Sequence, residues 1–381
     1  MTKKIYNYGI NLDKRTIKQF EKCYSEKFVI SAALMPDAHL GYSAPIGSVL
    51  KTKGFVVPAW VGFDIGCGMI AIRIMGSDLV EDVFEKRTSI YNAVSKKIPM
   101  GVGDYNTPKN ITKKTKKEFD LLLEKFEKGS YNKNILNYLK TASLKHLGTL
   151  GGGNHFIELG SYKKELWLVI HSGSRGIGHT VGKKYMVEAS GSNKKEKFEK
   201  TSPLDVNSDL GKEYLNVLKF GLDYALLNRL EIAYKFMEIL NKITGKNLKY
   251  SMWVNKNHNH AIYEEGHYIH RKGATPARKK EKGVIPGNMR DGTFLVEGKG
   301  NPKFLSSSSH GAGRKISISK AKEKFKMKDF QKTMQGIKGT INQKTLSESP
   351  MAYKDIFKVI NAQKQSIKVL KHLKPIINWK G

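Results

Sequence analysis

Val61-Gly62-Phe63-Asp64-Ile65-Gly66-Cys67-Gly68-Met69 runs directly into Ile70-Ala71-Ile72-Arg73-Ile74-Met75. Met69 to Met75 reads as a buried strand, and Gly47 to Pro58 on the other side reads as a β-hairpin, so the glycine-rich loop joins two sheet elements. That loop carries a carboxylate and a thiol three residues apart. Glycines beside Cys67 let the chain bend until Asp64 and Cys67 reach one point, as two cation ligands of different hardness would. A cysteine at a strand end is also an ordinary core residue. Histidines elsewhere in the chain decide between the two readings.

The flanking elements alternate in type. Thr16 to Tyr24 has a helical pattern, followed by the apolar run Phe28-Val29-Ile30 and a turn-forming segment, Met35 to Gly41, in which Asp37 and His39 stand two residues apart. Residues 80–98 read as an amphipathic helix, residues 109–140 as a Lys-rich, solvated helical excursion, and Asp209 to Thr244 as one long amphipathic helix. Glu165 to Ile170, Lys249 to Val254 and Thr293 to Glu297 read as strands, and Val284 to Met289 as a turn. Tyr353 to Leu373 reads as a further helix, followed by an apolar strand, Pro375 to Gly381, whose end is expected to be tucked in. The expected fold class is α+β: mixed β-sheets flanked by helices.

At 381 residues and 39% hydrophobic, the chain can bury a substantial core. Two cysteines make no disulfide framework, the first residues have no apolar leader, and no stretch approaches 18 apolar residues. A reducing, cytoplasmic setting is the expectation. The net charge of +33 points to an anionic partner, with RNA or DNA the obvious class. Lysine supplies 58 of the 67 basic residues, which also suits a generic solvated surface. The nine arginines are more informative, because a guanidinium makes the rigid bidentate phosphate contact.

Several of those arginines sit near histidines. Gly151-Gly152-Gly153 precedes Asn154-His155-Phe156-Ile157-Glu158, bringing backbone amides close to whatever His155 touches. His171 ends a strand and opens into Ser172-Gly173-Ser174-Arg175. His258 lies in Asn257-His258-Asn259-His260, where spacing alone leaves His260 as the other candidate. Asp64, Cys67, His155, His171 and His258 are then five potential ligands, enough for two divalent ions such as Mn(II) or Zn(II) if Cys67 bridges. His310 stands apart, between four serines and Gly311-Ala312-Gly313-Arg314. An imidazole with room for a large electrophile, beside amides and a guanidinium, suits covalent phosphoryl chemistry.

Met35–Gly41, Gly62–Gly68, Gly151–Glu158, His171–Gly176, Arg271–Ala274 and Ser309–Arg314 closely resemble, in order, the motifs of the RtcB family of RNA-splicing ligases. The resemblance covers the chain from about Met35 to its end and argues for one catalytic domain over residues 1–381. It implies a GTP- and Mn(II)-dependent ligase, expected as a monomer, that joins RNA ending in a 3′-phosphate or 2′,3′-cyclic phosphate to RNA with a 5′-hydroxyl. By the same resemblance Asp64, Cys67 and His155 hold one Mn(II), Cys67, His171 and His258 hold the other, and His310 takes GMP. Guanylate contacts are implied for Asn154, His155, Phe156, Ile157, Glu158, His258, Asn259, Pro286, Gly287, Asn288, Met289, Thr293, His310, Gly311, Ala312, Gly313 and Lys380. Arg175 and Arg314 are the candidates for RNA phosphates.

Two positions depart from the family pattern. Asn378-Trp379 precedes Lys380 where small apolar residues are usual, and Asn257 stands where a histidine is common. The competing readings are a dimetal phosphatase or nuclease, which needs no nucleophilic His310, and a basic RNA-binding protein, which needs no ligand cluster.

Overall fold

A computed structural model describes residues 3–76, 78–198 and 200–381. Met1 and Thr2, which open the segment read as lacking a leader, lie outside the described residues. The fold is α+β, built on two principal sheets. The larger has eight strands, in the order Lys282–Pro286, Thr293–Gly298, Ile367–Lys380, Phe156–Tyr162, Glu165–Ser172, Gly68–Met75 and Lys249–Asn257, with Lys338–Gly339 alongside Ile367–Lys380. The smaller has five, in the order Lys4–Asn7, Val29–His39, Ile46–Thr52, His267–Lys272 and Asn259–Glu264.

The strand Gly68–Met75 reads as an unbroken apolar run because both of its faces are covered. Ile70, Ile72 and Ile74 pack with Ile232, Phe236 and Leu240 of the Asp209–Thr244 helix, while Met69 and Ala71 face Trp167, Val284 and Leu295. The long helix begins where the Ser208 side chain accepts from Gly211 N–H and ends at Gly245, at φ 69°. It packs against the helices Arg87–Lys97, Lys113–Glu127 and Arg175–Ser190 and the strands Gly68–Met75, Glu165–Ser172 and Lys249–Asn257.

Five expectations are corrected. Met35 to His39 is strand, not turn: Val29–His39 pairs with both neighbours, and Pro36 is tolerated because the register to Ile46–Thr52 slips between Leu34 and His39. Gly47 to Pro58 does not close as a hairpin, since Phe55-Val56 pairs instead with Leu204-Asp205. Val284 to Pro286 belongs to a strand, and only Gly287 onward turns. The Lys-rich excursion is two helices, Lys113–Glu127 and Lys133–His146, whose Phe119, Leu122, Phe126 and Leu139 are buried against Phe220 and Tyr224 of the long helix. Its lysines are solvated, but its apolar stripe is core.

The last correction concerns the tail. The helix covers only Ile356–Ala362, and Ile367–Lys380 is a 14-residue strand between Thr293–Gly298 and Phe156–Tyr162. Ile367, Val369, Ile376 and Ile377 favour a pleated, packed strand over a helix. The strand carries Asn378, Trp379 and Lys380 inside the sheet, all of them buried. No helix among the described residues is long and apolar enough to cross a membrane.

Candidate active site

Strand register gathers the cluster. Gly68 pairs with Ser172 on one side and Asn257 on the other, and Phe156 pairs with His171. Cys67, His171, His155 and His258 therefore emerge at the same end of four adjacent strands. Cys67 Sγ lies 3.3 Å from His155 Nε2 and 3.1 Å from His171 Nε2. His155 Nε2 lies 3.0 Å from Asp64 Oδ2, and His171 Nε2 3.3 Å from His258 Nε2. The five side chains form a sequence of contacts, Asp64–His155–Cys67–His171–His258, with the thiol in the middle. Separations of roughly 3 to 3.5 Å are those of donors sharing ions at about 2.0–2.3 Å.

Backbone carbonyls orient the rings. His155 Nδ1 is 3.0 Å from Leu150 O and His171 Nδ1 3.1 Å from Asn154 O, so each donates there and turns Nε2 toward the thiol. Burial, reinforced by the neighbouring imidazoles, holds His171 and His258 well below the ordinary histidine pKa. Both are therefore neutral at pH 7, with a lone pair available to a cation. Burial, reinforced by Asp64, pushes the Cys67 thiol up, and a cation binding the sulfur would displace its proton to solvent. Burial also pushes Asp64 up, but His155, Arg175 and Cys67 together outweigh it and hold the net value below the usual carboxylate range. Three imidazoles, a carboxylate and a thiol make a donor set that fits divalent ions such as Mn(II) or Zn(II).

Arg229 braces the ligand loops from beneath. Fully buried on the long helix, it donates to Gly66 O at 3.0 Å, Ser172 O at 2.8 Å, Asn255 Oδ1 at 2.7 Å and Asn257 Oδ1 at 2.6 Å. Asn228 beside it holds Thr149 and Gly173. Asn257, the position that departs from the family pattern, is thus a partner of Arg229. Gly66 takes φ 72°, which turns its carbonyl toward that guanidinium without a side chain's strain. His260 is 3.2 Å from Arg271 and makes no contact with the cluster, so His258 is the ligand candidate.

His310 follows the strand Ser307–Ser309. Its ring centroid is 4.9 Å from that of His258, and its Nδ1 is 2.7 Å from Oδ2 of the fully buried Asp37. Gly311 N–H donates to the same Asp37 oxygen at 3.3 Å, and Lys354 donates to Ala38 O at 2.6 Å. Asp37 was absent from the expected site residues. Its signal was the two-residue spacing with His39, but nothing in the sequence paired it with a histidine 273 positions away.

A cavity of about 710 Å³ opens over these groups, within the range of ligand pockets. Asp64, Cys67, His171, His258 and His310 line it, as do Asn154, Phe156, Glu158, Asn259, Lys380 and the segments 286–289 and 311–314. Ile157 and Thr293 do not: Ile157 lies in the core with Ile170 and Trp379, and Thr293 is fully buried. His155 reaches the cluster from beneath the cavity surface. Asn259 spends its side chain on Gly273 N–H at 2.7 Å and Asp64 O at 3.2 Å.

Around the tail, burial raises Glu158 to about 7, and Asn378 donates to it at 3.3 Å. Lys380 donates to Asn154 O at 3.2 Å and lies 3.6 Å from Glu348. Trp379 points the other way, stacked on Tyr91 in the core, so the larger of the two tail departures faces away from the cavity. Arg314 donates to Glu348 and to the carbonyls of Ile316 and Ser347. Arg175 approaches His155 Nδ1 at 3.2 Å, packed so tightly over Gly151 that a Cβ there would sit 2.0 Å from the guanidinium carbon.

A sequence model of the family described as tRNA-splicing ligase RtcB matches residues 19–381. The chain is 33% identical to the RNA-splicing ligase RtcB of Escherichia coli K12 over 401 aligned positions, spanning 99% of this chain and 97% of that protein. It is 28% identical to the tRNA-splicing ligase RtcB of Nanoarchaeum equitans, over 93% of this chain and 89% of that one. With RNA-splicing ligase RtcB homolog 1 of Entamoeba histolytica it shares 30% identity, over 93% of this chain and 81% of the relative. Likeness thus begins well before Met35.

Proposed function

Because the chain belongs to the RtcB family and is an RNA ligase, we propose that it joins RNA 3′-phosphate or 2′,3′-cyclic phosphate ends to 5′-hydroxyl ends, using GTP and Mn(II), through a guanylylated His310. The observation that carries this reading is the 2.7 Å approach of His310 Nδ1 to buried Asp37, beside the five-donor cluster. A carboxylate at Nδ1 keeps the proton there and leaves the Nε2 lone pair as the nucleophile.

His310 Nε2 attacks the α-phosphorus of GTP; the N–P bond forms as the bond to the bridging oxygen breaks, and pyrophosphate leaves. An oxygen of the RNA 3′-phosphate then displaces the imidazole, giving an RNA 3′-end capped by GMP and restoring His310. The 5′-hydroxyl attacks the 3′-phosphorus, loses its proton and expels GMP. A cyclic phosphate is first opened by water to the 3′-phosphate. Asp37 stabilises positive charge that develops on His310 during attack, and Gly311 N–H holds the carboxylate in place.

Asp64, Cys67 and His155 would hold one Mn(II), and Cys67, His171 and His258 a second. When bound, the ions supply positive charge for the phosphoryl oxygens. Glu158, Asn154 and Lys380 offer hydrogen-bonding groups for a guanine, and Ala312 and Gly313 offer backbone amides for its phosphate. Arg175 and Arg314 add positive charge that favours RNA phosphates, although both guanidinium groups already serve the protein. Two buried cysteines with no disulfide between them suit a reducing, cytoplasmic compartment.

The test is ligation of defined oligonucleotides. Joining of 3′-phosphate and 5′-hydroxyl ends that requires GTP and Mn(II) is expected. Joining of 3′-hydroxyl to 5′-phosphate ends, or simple release of phosphate, contradicts the reading and favours a different ligase chemistry or a phosphatase.

A further inference from the structure

The cavity has a wall that neither the metal donors nor the guanylate-facing residues account for. Tyr42, Phe63, His179, Lys183 and Lys195 line it. Phe63 immediately precedes Asp64, which anchors this wall to the metal cluster. The Phe63 and His179 rings are stacked, with centroids 5.0 Å apart and planes 23° from parallel, and Tyr42 meets Phe63 edge-on at 5.6 Å. His179 and Lys183 stand one turn apart on the Arg175–Ser190 helix, and the Lys195 ammonium lies 5.9 Å from the Tyr42 ring centroid.

Packing accounts for Phe63, which is half-buried against the core around Trp60 and Met186, but not for the other four side chains. Tyr42 is 58% exposed, and His179, Lys183 and Lys195 are exposed as well. Flat rings open to a cavity and bordered by ammonium groups match a ligand with a planar, apolar face and phosphates on either side. A single-stranded nucleotide has that form, and base stacking on aromatic rings tolerates any sequence.

We propose that Tyr42, Phe63 and His179 form a stacking platform for the base of the RNA end nucleotide at the joint, with Lys183 and Lys195 meeting its phosphates. This rests on the ligase reading above and adds a subsite to it. It makes the enzyme sensitive to the presence of a terminal base and indifferent to which base it is.

The test is fluorescence anisotropy of the full-length protein with two single-stranded RNA oligonucleotides, one with a 3′-phosphate and one with a 5′-hydroxyl. Each is made intact and with its terminal base removed. Wild type is expected to bind at least one intact oligonucleotide roughly 5- to 100-fold more tightly than its abasic form. His179→Ala and Tyr42→Ala should lose that preference, and His179→Phe, which keeps a flat ring, should retain it. Lys183→Ala should weaken binding and reduce the slope of log K against log salt by about 0.7. Equal affinity of wild type for intact and abasic RNA of both kinds, or a preference that survives His179→Ala and Tyr42→Ala together, overturns the proposal. GTP labelling of wild type without RNA reports separately on the ligase reading, so the two can fail independently.

Discussion

His310 Nδ1 and Asp37 Oδ2 face each other at 2.7 Å, bringing a strand near the start of the chain against the Ser-rich segment near its end. On the proposed mechanism, this approach leaves Nε2 of His310 as the nitrogen that attacks. Asp37→Asn preserves volume but removes the charge that stabilises an imidazolium. It should slow GTP labelling of the protein by at least about 100-fold while leaving the thermal midpoint within a few degrees of wild type. A rapid-quench labelling time course checks this, and an unchanged rate would remove Asp37 from the mechanism.

Cys67 is the middle of the donor sequence, so its loss should affect both ions. Mn(II) titration followed by electron paramagnetic resonance should find two bound ions in wild type and no tight site in Cys67→Ala. Chelation of wild type should abolish labelling, and restoring Mn(II) should recover it. One fully occupied site remaining in Cys67→Ala would refute the bridging role.

Arg229 satisfies four oxygens behind the ligand loops. Arg229→Met leaves Gly66 O, Ser172 O and two asparagine side chains short of a donor in a buried place. A stability loss of about 3–5 kcal/mol is expected, with weakened Mn(II) binding because Gly66 and Asn257 flank Cys67 and His258. Arg229→Lys, which reaches fewer partners, should fall between. Denaturant titration of the three proteins orders them.

Glu158 gives a pH signature. Burial raises its carboxyl to about 7 from an unfolded value near 4.5. The unfolded chain therefore gives up this proton first as pH rises, and the stability associated with the neutral acid is lost between those values. Glu158→Gln should match wild type below about pH 4.5 and exceed it above pH 7 by on the order of 3 kcal/mol. Chemical denaturation of metal-free protein across that range measures the difference; parallel pH profiles for the two proteins would contradict it.

The convergence of Asp64, Cys67, His155, His171 and His258 was more legible in the sequence than the fold. Asp64, Cys67, His155, His171 and His258 each sit in a short glycine- or asparagine-bearing segment at the end of an apolar run, and sheet register does the rest. The helix from Asp209 to Thr244 was legible because 36 residues of one period leave no alternative. Ile367–Lys380 was misread because its apolar residues also fit a helical stripe, and only its neighbours in the sheet decide. Met35–His39 was misread because Pro36-Asp37 signals a turn unless the ladder slips beside it. The Asp37–His310 contact depends on tertiary closure, so no local pattern could disclose it.

The most direct measurement is to incubate the protein with α-labelled GTP and Mn(II), denature it, digest it and map the label by mass spectrometry. A single acid-labile GMP adduct on His310, absent in His310→Ala, is the predicted result. No adduct, or one that persists elsewhere in His310→Ala, would contradict the guanylylated-histidine mechanism.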